Sequence, residues 1–205
     1  MKGYIKKGLE QGISYEAYRE LVKRLAETHS TTGLEKTEDL INYTKMNDKR
    51  MNRWDKTLKV SDDAKAKIQS VNAPITMLVI SESWCGDAAH VLPVLNKIAQ
   101  LNTHIEFKVV LRDEHPELMD AFLTNGSRSV PKVLLVDNDS GEVVNTFGPR
   151  PSEATHFVKR FKALHGVLTP DFKEDLQHWY NQNKGQNVIE DMTAIFCQLE
   201  TSFCQ

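Results

Sequence analysis

The sequence predicts an α/β protein, a mixed β-sheet flanked by helices, with further helices added at both ends. Three observations carry this reading. Ile75 to Ile80, interrupted only by Thr76, is a short apolar run of the kind that forms a strand covered on both faces. From there to about residue 166 the signals run strand, helix, strand, helix, strand, strand, helix, an order that fits a mixed sheet with helices on both faces. Outside that span, helix-start signals recur without strand signals. The chain is therefore divided into an N-terminal helical extension at 1–72, a core at 73–166 and a C-terminal helical extension at 167–205, expected to pack as one globular unit.

Each element has a local reason. Ser14 can cap a helix whose apolar face is Tyr18, Leu21, Val22 and Leu25, spaced i, i+3, i+4, i+7. Thr31-Thr32-Gly33 breaks it. A long, very polar helix follows from about Thr37, with Leu40, Tyr43, Met51, Trp54 and Leu58 as sparse apolar positions. Ser61 caps another, with Asp62 and Asp63 in the first turn, where carboxylates favour the positive helix end. After the strand at Ile75 come Trp84-Cys85-Gly86-Asp87 and a helical face of Val91, Leu92, Leu95 and Ile98. Ile105 to Leu111 reads as a second buried strand, and Glu117 to Leu123 as a short helix closed by Asn125-Gly126. Pro131 opens the strand Lys132 to Val136; a turn at Asp137 to Gly141 makes Glu142 to Phe147 its hairpin partner. Ser152 starts a helix ending near Gly166, Thr169-Pro170-Asp171 starts another, and a last helix runs from about Asn187.

Composition excludes several function classes. Of 205 residues, 26 are Lys or Arg and 28 are Asp or Glu, a net charge of −2 with no long run of either sign, which counts against nucleic acid as the main partner. No apolar stretch approaches the length of a membrane span, and the N-terminus lacks the apolar stretch of a signal peptide. A soluble cytoplasmic protein is expected, without membrane or nucleic-acid partners. Cys85, Cys197 and Cys204 are too few for a disulfide framework, and the seven histidines show no metal-ligand spacing, so no metal is expected.

Cys85 lies where a buried strand gives way to a helix. There a thiol meets unpaired backbone N–H groups and the positive end of the helix dipole, both of which favour the thiolate that attacks disulfides. One such cysteine alone is weak grounds, since free cysteines are mostly small buried hydrophobes. Its surroundings are more specific. Trp84-Cys85-Gly86 resembles the start of the Trp-Cys-Gly-Pro-Cys turn of the thioredoxin superfamily. Pro93 falls where that family's active-site helix carries its kink, Val130-Pro131 resembles its cis-proline site, and Gly141 fits its hairpin. The resemblance covers about residues 74 to 165 and implies a thioredoxin-like fold. It also implies Cys85 as nucleophile, with Trp84, Gly86, Asp87, Val130 and Pro131 forming the substrate surface. A cis peptide before Pro131 would turn the Val130 backbone outward to pair with an extended peptide.

The sequence departs from that family in ways that bear on mechanism. The resolving cysteine is replaced by Ala88, the intervening proline by Asp87, and the family's buried acid by Val79. Without a second thiol the intramolecular step that clears a mixed disulfide is absent. Asp87 stabilises the helix start but opposes the thiolate, as does Glu82, so Cys85 is expected to be less acidic than in a dithiol relative. The two acids read equally well as solvated surface charges. His90, five residues along the helix from Cys85, reads as a helix-surface residue. Cys197, flanked by Ile195, Phe196 and Leu199, reads as a core residue and Cys204 as a tail thiol; on one helix they would stand about 10 Å apart, too far to bridge without unwinding.

The function expected from the resemblance is monothiol thiol–disulfide chemistry on protein disulfides or on glutathione, with glutathione as co-substrate and no cofactor. The alternative is a non-catalytic thioredoxin-fold binding protein that uses the Trp84 and Pro131 surface. Cys85 reactivity separates the two. The oligomeric state is open at this level.

Overall fold

The computed structural model describes residues 1–199. Four strands form one sheet in the order β2-β1-β3-β4. β1 (Ile75–Ser81) runs parallel to β2 (Ile105–Leu111) and antiparallel to β3 (Lys132–Asp137), which pairs antiparallel with β4 (Val143–Phe147). Every residue of β1 is buried, as its unbroken apolar run requires of a strand covered on both faces. The expected mixed α/β sheet with flanking helices is the architecture found.

Helix α5 (Gly86–Ala99) follows β1 and is buried along almost its whole length, Asp87 to Leu95 included. It packs toward β2 on one side and beneath α3 (Glu38–Thr57) and α9 (Gln186–Leu199) on the other, so apolar side chains are needed all round it. α2 (Tyr15–Glu27) packs on α3, and α4 (Asp62–Gln69) on α9. Ser14, Thr37, Ser61 and Thr169 cap their helices by accepting a backbone N–H, the last at the start of α8 (Pro170–Asn183). α6 (Pro116–Ala121) follows β2, and α7 (Ser152–His165) packs against α8 and α9.

α1 (Gly3–Gln11) has no counterpart in the sequence reading. Its N-cap is Lys2 with no side-chain bond, and it carries no acid in its first turn, so the usual start signal is absent. It forms because it covers the other face of the sheet. A Cβ at Gly8 would stand 3.0 Å from both Leu78 and Leu118 side chains, a close approach that only glycine allows without readjustment. Just beyond it Ile13 forms an isolated antiparallel bridge to Val109 on the outer edge of β2.

The segment between β1 and α5 is fixed by hydroxyl groups. The Ser83 amide donates to Thr32 Oγ1 at 2.8 Å, the Thr32 amide donates to Ser83 Oγ at 3.0 Å, and Thr44 Oγ1 lies 2.9 Å from Ser83 Oγ. Thr31-Thr32, read as a helix break, is thus also the anchor of the segment that carries Trp84 and Cys85. These buried polar groups satisfy one another, as they must away from water.

Gly148, at the end of β4, has φ +99, and a Cβ there would sit 2.4 Å from the Pro131 carbonyl oxygen. Gly126 has φ +75 but open space around it. Gly126→Ala is expected to lower unfolding free energy in urea by about 1–2 kcal/mol, the cost of left-handed backbone alone. Gly148→Ala is expected to cost clearly more, roughly 3 kcal/mol or above, because backbone atoms would also have to separate. Equal costs would refute this account of the approach.

Candidate functional site

Cys85 is the N-cap of α5 and is only 7% exposed. Its sulfur accepts the Ala88 amide at 3.5 Å, the helix-start interaction expected from its position. The thiol in turn donates to the Val130 carbonyl oxygen at 3.2 Å. The Val130-Pro131 peptide is cis. A second cis peptide, Gly148-Pro149, lies next to it in space, where Gly148 meets the Pro131 carbonyl.

The thiol opens onto a groove of about 870 Å³ lined by residues of α3, α8, the Cys85 turn and the two proline segments. Trp84, Cys85, Gly86, Asp87 and Val130 all line it; Pro131 is buried behind Val130. The structure thus brings the expected site residues together. Trp84 is half-buried, with the Arg112 guanidinium 4.9 Å over its ring, so its exposed face is part cation and part aromatic.

Asp87 and Glu82 are not solvated surface charges. Asp87 is 9% exposed; Arg150 Nη2 lies 2.7 Å from its Oδ2, and the Tyr180 hydroxyl donates to its Oδ1 at 2.9 Å. Burial pushes the Asp87 carboxyl above its ordinary value, and Arg150 and Tyr180 pull it back. Glu82 is fully buried, with Oε1 accepting the Asp113 amide at 3.1 Å and Oε2 left without a hydrogen-bond partner. Burial raises its carboxyl as well. The surface reading failed because both acids lie beneath elements from distant parts of the chain.

Cys85 is pushed up to about 12, first by burial and then by Asp87, against the opposing pull of the Ala88 amide and Arg150. The expected direction is found, but burial is the larger cause and Glu82 is not among the principal ones. Asp87→Asn is expected to lower the pH at which Cys85 titrates and to raise its iodoacetamide rate at pH 8 by about threefold or more. Arg150→Gln is expected to slow that rate. A pH–rate profile checks both, and a shared direction would refute the electrostatic assignment.

His90 is also corrected: it is 2% exposed, not on the helix surface. Trp54 Nε1 donates to His90 Nδ1 at 2.9 Å, so the other nitrogen carries the proton and donates to Gln177 Oε1 at 2.8 Å. The ring stacks on Tyr180 with centroids 4.4 Å apart. His90 does face away from Cys85 along α5, but α3 and α8 cover that side. Burial holds it down at about 4. Folding therefore favours neutral His90. This stability, about 3 kcal/mol for the displacement from 6.5 to about 4, is complete above pH 6.5 and lost as pH falls toward 4. The stability gap between wild type and His90→Gln is expected to narrow by that order between pH 7 and pH 4, as read by urea unfolding; a constant gap would overturn it.

Four residues of the site were not singled out from sequence: Arg50, Arg150, Gln177 and Tyr180. Gly86 is overhung by two of them. Its Cβ position lies 3.7 Å from Arg50 Nη1 and 3.7 Å from Gln177 Nε2. Asn47 holds Arg50 there, accepting from Arg50 Nη1 and donating from its own Nδ2 to the Ser83 carbonyl, each at 2.8 Å. Gly148-Pro149-Arg150-Pro151 was a legible turn signal, but nothing in its spacing pointed at Cys85. Cys197 is half-buried on α9, less enclosed than the core position expected, and is disulfide-bonded, against the expectation that it could not bridge; Cys204 lies outside the described residues. Among the described residues no group of three or more His, Cys, Asp or Glu is placed to hold a metal, and no helix is long and apolar enough to cross a membrane.

A family profile described as thioredoxin matches residues 33–162, well over half of the chain. The chain belongs to the thioredoxin family. The match begins before α3 and so takes in Asn47 and Arg50, about forty residues ahead of the span that carries the sequence resemblance. Two solved structures share the thioredoxin-like fold of this chain. One is a 1.5 Å crystal structure of a protein of unknown function from Pseudomonas aeruginosa, at TM-score 0.63 and 17% identity, covering 95% of this chain and 97% of that one. The other is an HIV epitope-scaffold, at TM-score 0.62 and 16% identity, covering 93% of this chain and 95% of that one. No curated protein matches by sequence.

Proposed function

We propose that this thioredoxin-family chain is a monothiol thiol–disulfide oxidoreductase with Cys85 as its nucleophile. The observation that carries the reading is that the thiol, though almost buried, faces the groove beside the Val130 carbonyl instead of being sealed in the core. In the first step the Cys85 sulfur, having lost its proton to solvent, attacks one sulfur of a disulfide. A Cys85–S–S–R bond forms, the R–S–S–R bond breaks and RS⁻ leaves with the electron pair. A second thiol, from a protein or from glutathione as co-substrate, then attacks the mixed disulfide and returns Cys85. Ala88 cannot perform that second step, so the thiol must come from elsewhere than the usual place.

Trp84, Gly86, Asp87, Val130 and Pro131 form the surface against which the disulfide lies in this reading. The division into a core at 73–166 with helical extensions belongs to the same proposal, because α3 and α8 supply the walls of the groove. The raised thiol favours a second reading, a thioredoxin-fold binding protein whose cysteine does not react.

Intact mass after exposure to oxidised glutathione decides between them. One glutathione adduct, absent in Cys85→Ser and released by a reducing thiol, is expected. Its rate is expected to climb from pH 7 to pH 9 without levelling, because the thiol titrates above that range. No adduct at pH 9 would leave the binding reading in place.

A further inference from the structure

We infer that the groove beside Cys85 receives a low-molecular-weight disulfide or thiol carrying two or more negative charges, bound by the Arg50 and Arg53 guanidiniums. This rests on the oxidoreductase reading and adds the substrate class to it. Six cationic side chains line the groove against two acidic ones, Asp87 and Glu174. Three of the cations are answered by carboxylates: Arg112 by Asp113 at 2.7 Å, Arg128 by Asp120 at 2.6 Å and Arg150 by Asp87 at 2.7 Å. Among the described residues no carboxylate forms a salt bridge with Arg50, Arg53 or Lys173.

The two arginines are instead positioned by neutral groups. Arg50 donates to Asn47, and Arg53 donates to Asn181. Asn47 and Asn181 orient the guanidiniums without cancelling their charge. Arg50 is half-buried, and burial lowers its pKa from the ordinary guanidinium value. A partly desolvated guanidinium without a counterion gains more from an incoming anion than an exposed one does. Its Nη1 stands 3.7 Å from the Cβ position of Gly86, the residue after the nucleophile. Arg53 lies one helical turn along the same face of α3.

Size and shape select a small molecule over a folded protein. A volume of about 870 Å³ is that of a small-ligand pocket. Arg50 from α3 and Gln177 from α8 flank Gly86, so two helices stand beside the turn that carries the thiol.

Two alkylating probes of similar size, anionic iodoacetate and neutral iodoacetamide, test this in the full chain, read as modification of the Cys85 peptide by mass spectrometry. Both need the same thiolate, so their rate ratio at fixed pH cancels ionisation. At low salt the iodoacetate-to-iodoacetamide ratio is expected to exceed that of the urea-unfolded chain by about tenfold. It should fall toward the unfolded value in about 0.5 M salt. The exposed variant Arg53→Gln is expected to lower the ratio several-fold and Arg50→Gln to remove most of the preference, while Arg50→Lys keeps part of it. Oxidised glutathione should form its mixed disulfide faster than the cationic disulfide cystamine. A folded chain with the unfolded ratio, or a ratio that neither Gln variant changes, overturns the anion inference while leaving Cys85 a reactive thiol. A Cys85 that takes neither probe at pH 9 overturns the oxidoreductase reading, and the inference with it.

Discussion

Asp87 is a carboxylate buried in the first turn of α5, and its need for partners organises the groove around it. A buried carboxylate without compensation costs several kcal/mol. Here the compensation comes from Arg150, after the second cis-proline segment, and from Tyr180 on α8. The ion pair and the Tyr180 hydrogen bond therefore join three distant stretches of chain at the residue two beyond the nucleophile. Tyr180 in turn stacks on His90, whose two ring nitrogens are taken up by Trp54 and Gln177. The walls of the groove and the polar interior of α5 form one connected arrangement, with each member satisfying another.

That arrangement explains the state of the thiol. The N-cap position offers Cys85 an amide and the helix dipole, which favour negative charge. Enclosure and the neighbouring carboxylate oppose it and prevail. The outcome is a cysteine held as a thiol with its proton directed at Val130, in a groove where Arg50 and Arg53 are held by neutral partners.

The strands, the hairpin and the Cys85 turn were legible in the sequence because their signals are local: unbroken apolar runs, a hairpin turn, a cysteine between strand and helix. The walls of the groove were not. α3 reads as a very polar helix with sparse apolar positions, and that pattern does not show that Asn47 is buried and Arg50 half-buried, both turned toward the Cys85 turn and the groove. Helical register placed His90 away from Cys85, correctly, but register says nothing of what lies on the far side. Asp87 carries the mark of an ordinary helix start, and only the fold brings Arg150 and Tyr180 to it. α1 lacked any start signal and is held by tertiary contacts, among them the close approach of Gly8 to Leu78 and Leu118 and the Lys108 ammonium donating to the Leu9 carbonyl.

The bridge between Ile13 and Val109 bears on how the sheet meets other chains. An outer strand offers a row of unpaired amides and carbonyls to which a foreign strand can add. Here the Ile13 amide donates to the Val109 carbonyl at 2.9 Å and the Val109 amide donates to the Ile13 carbonyl at 2.8 Å. These two bonds occupy the middle of the β2 border, and the helices on either side of Ile13 stand across the path of a longer ladder. The segment between α1 and α2 thus takes up, on one outer border of the sheet, pairing groups that a foreign strand would need.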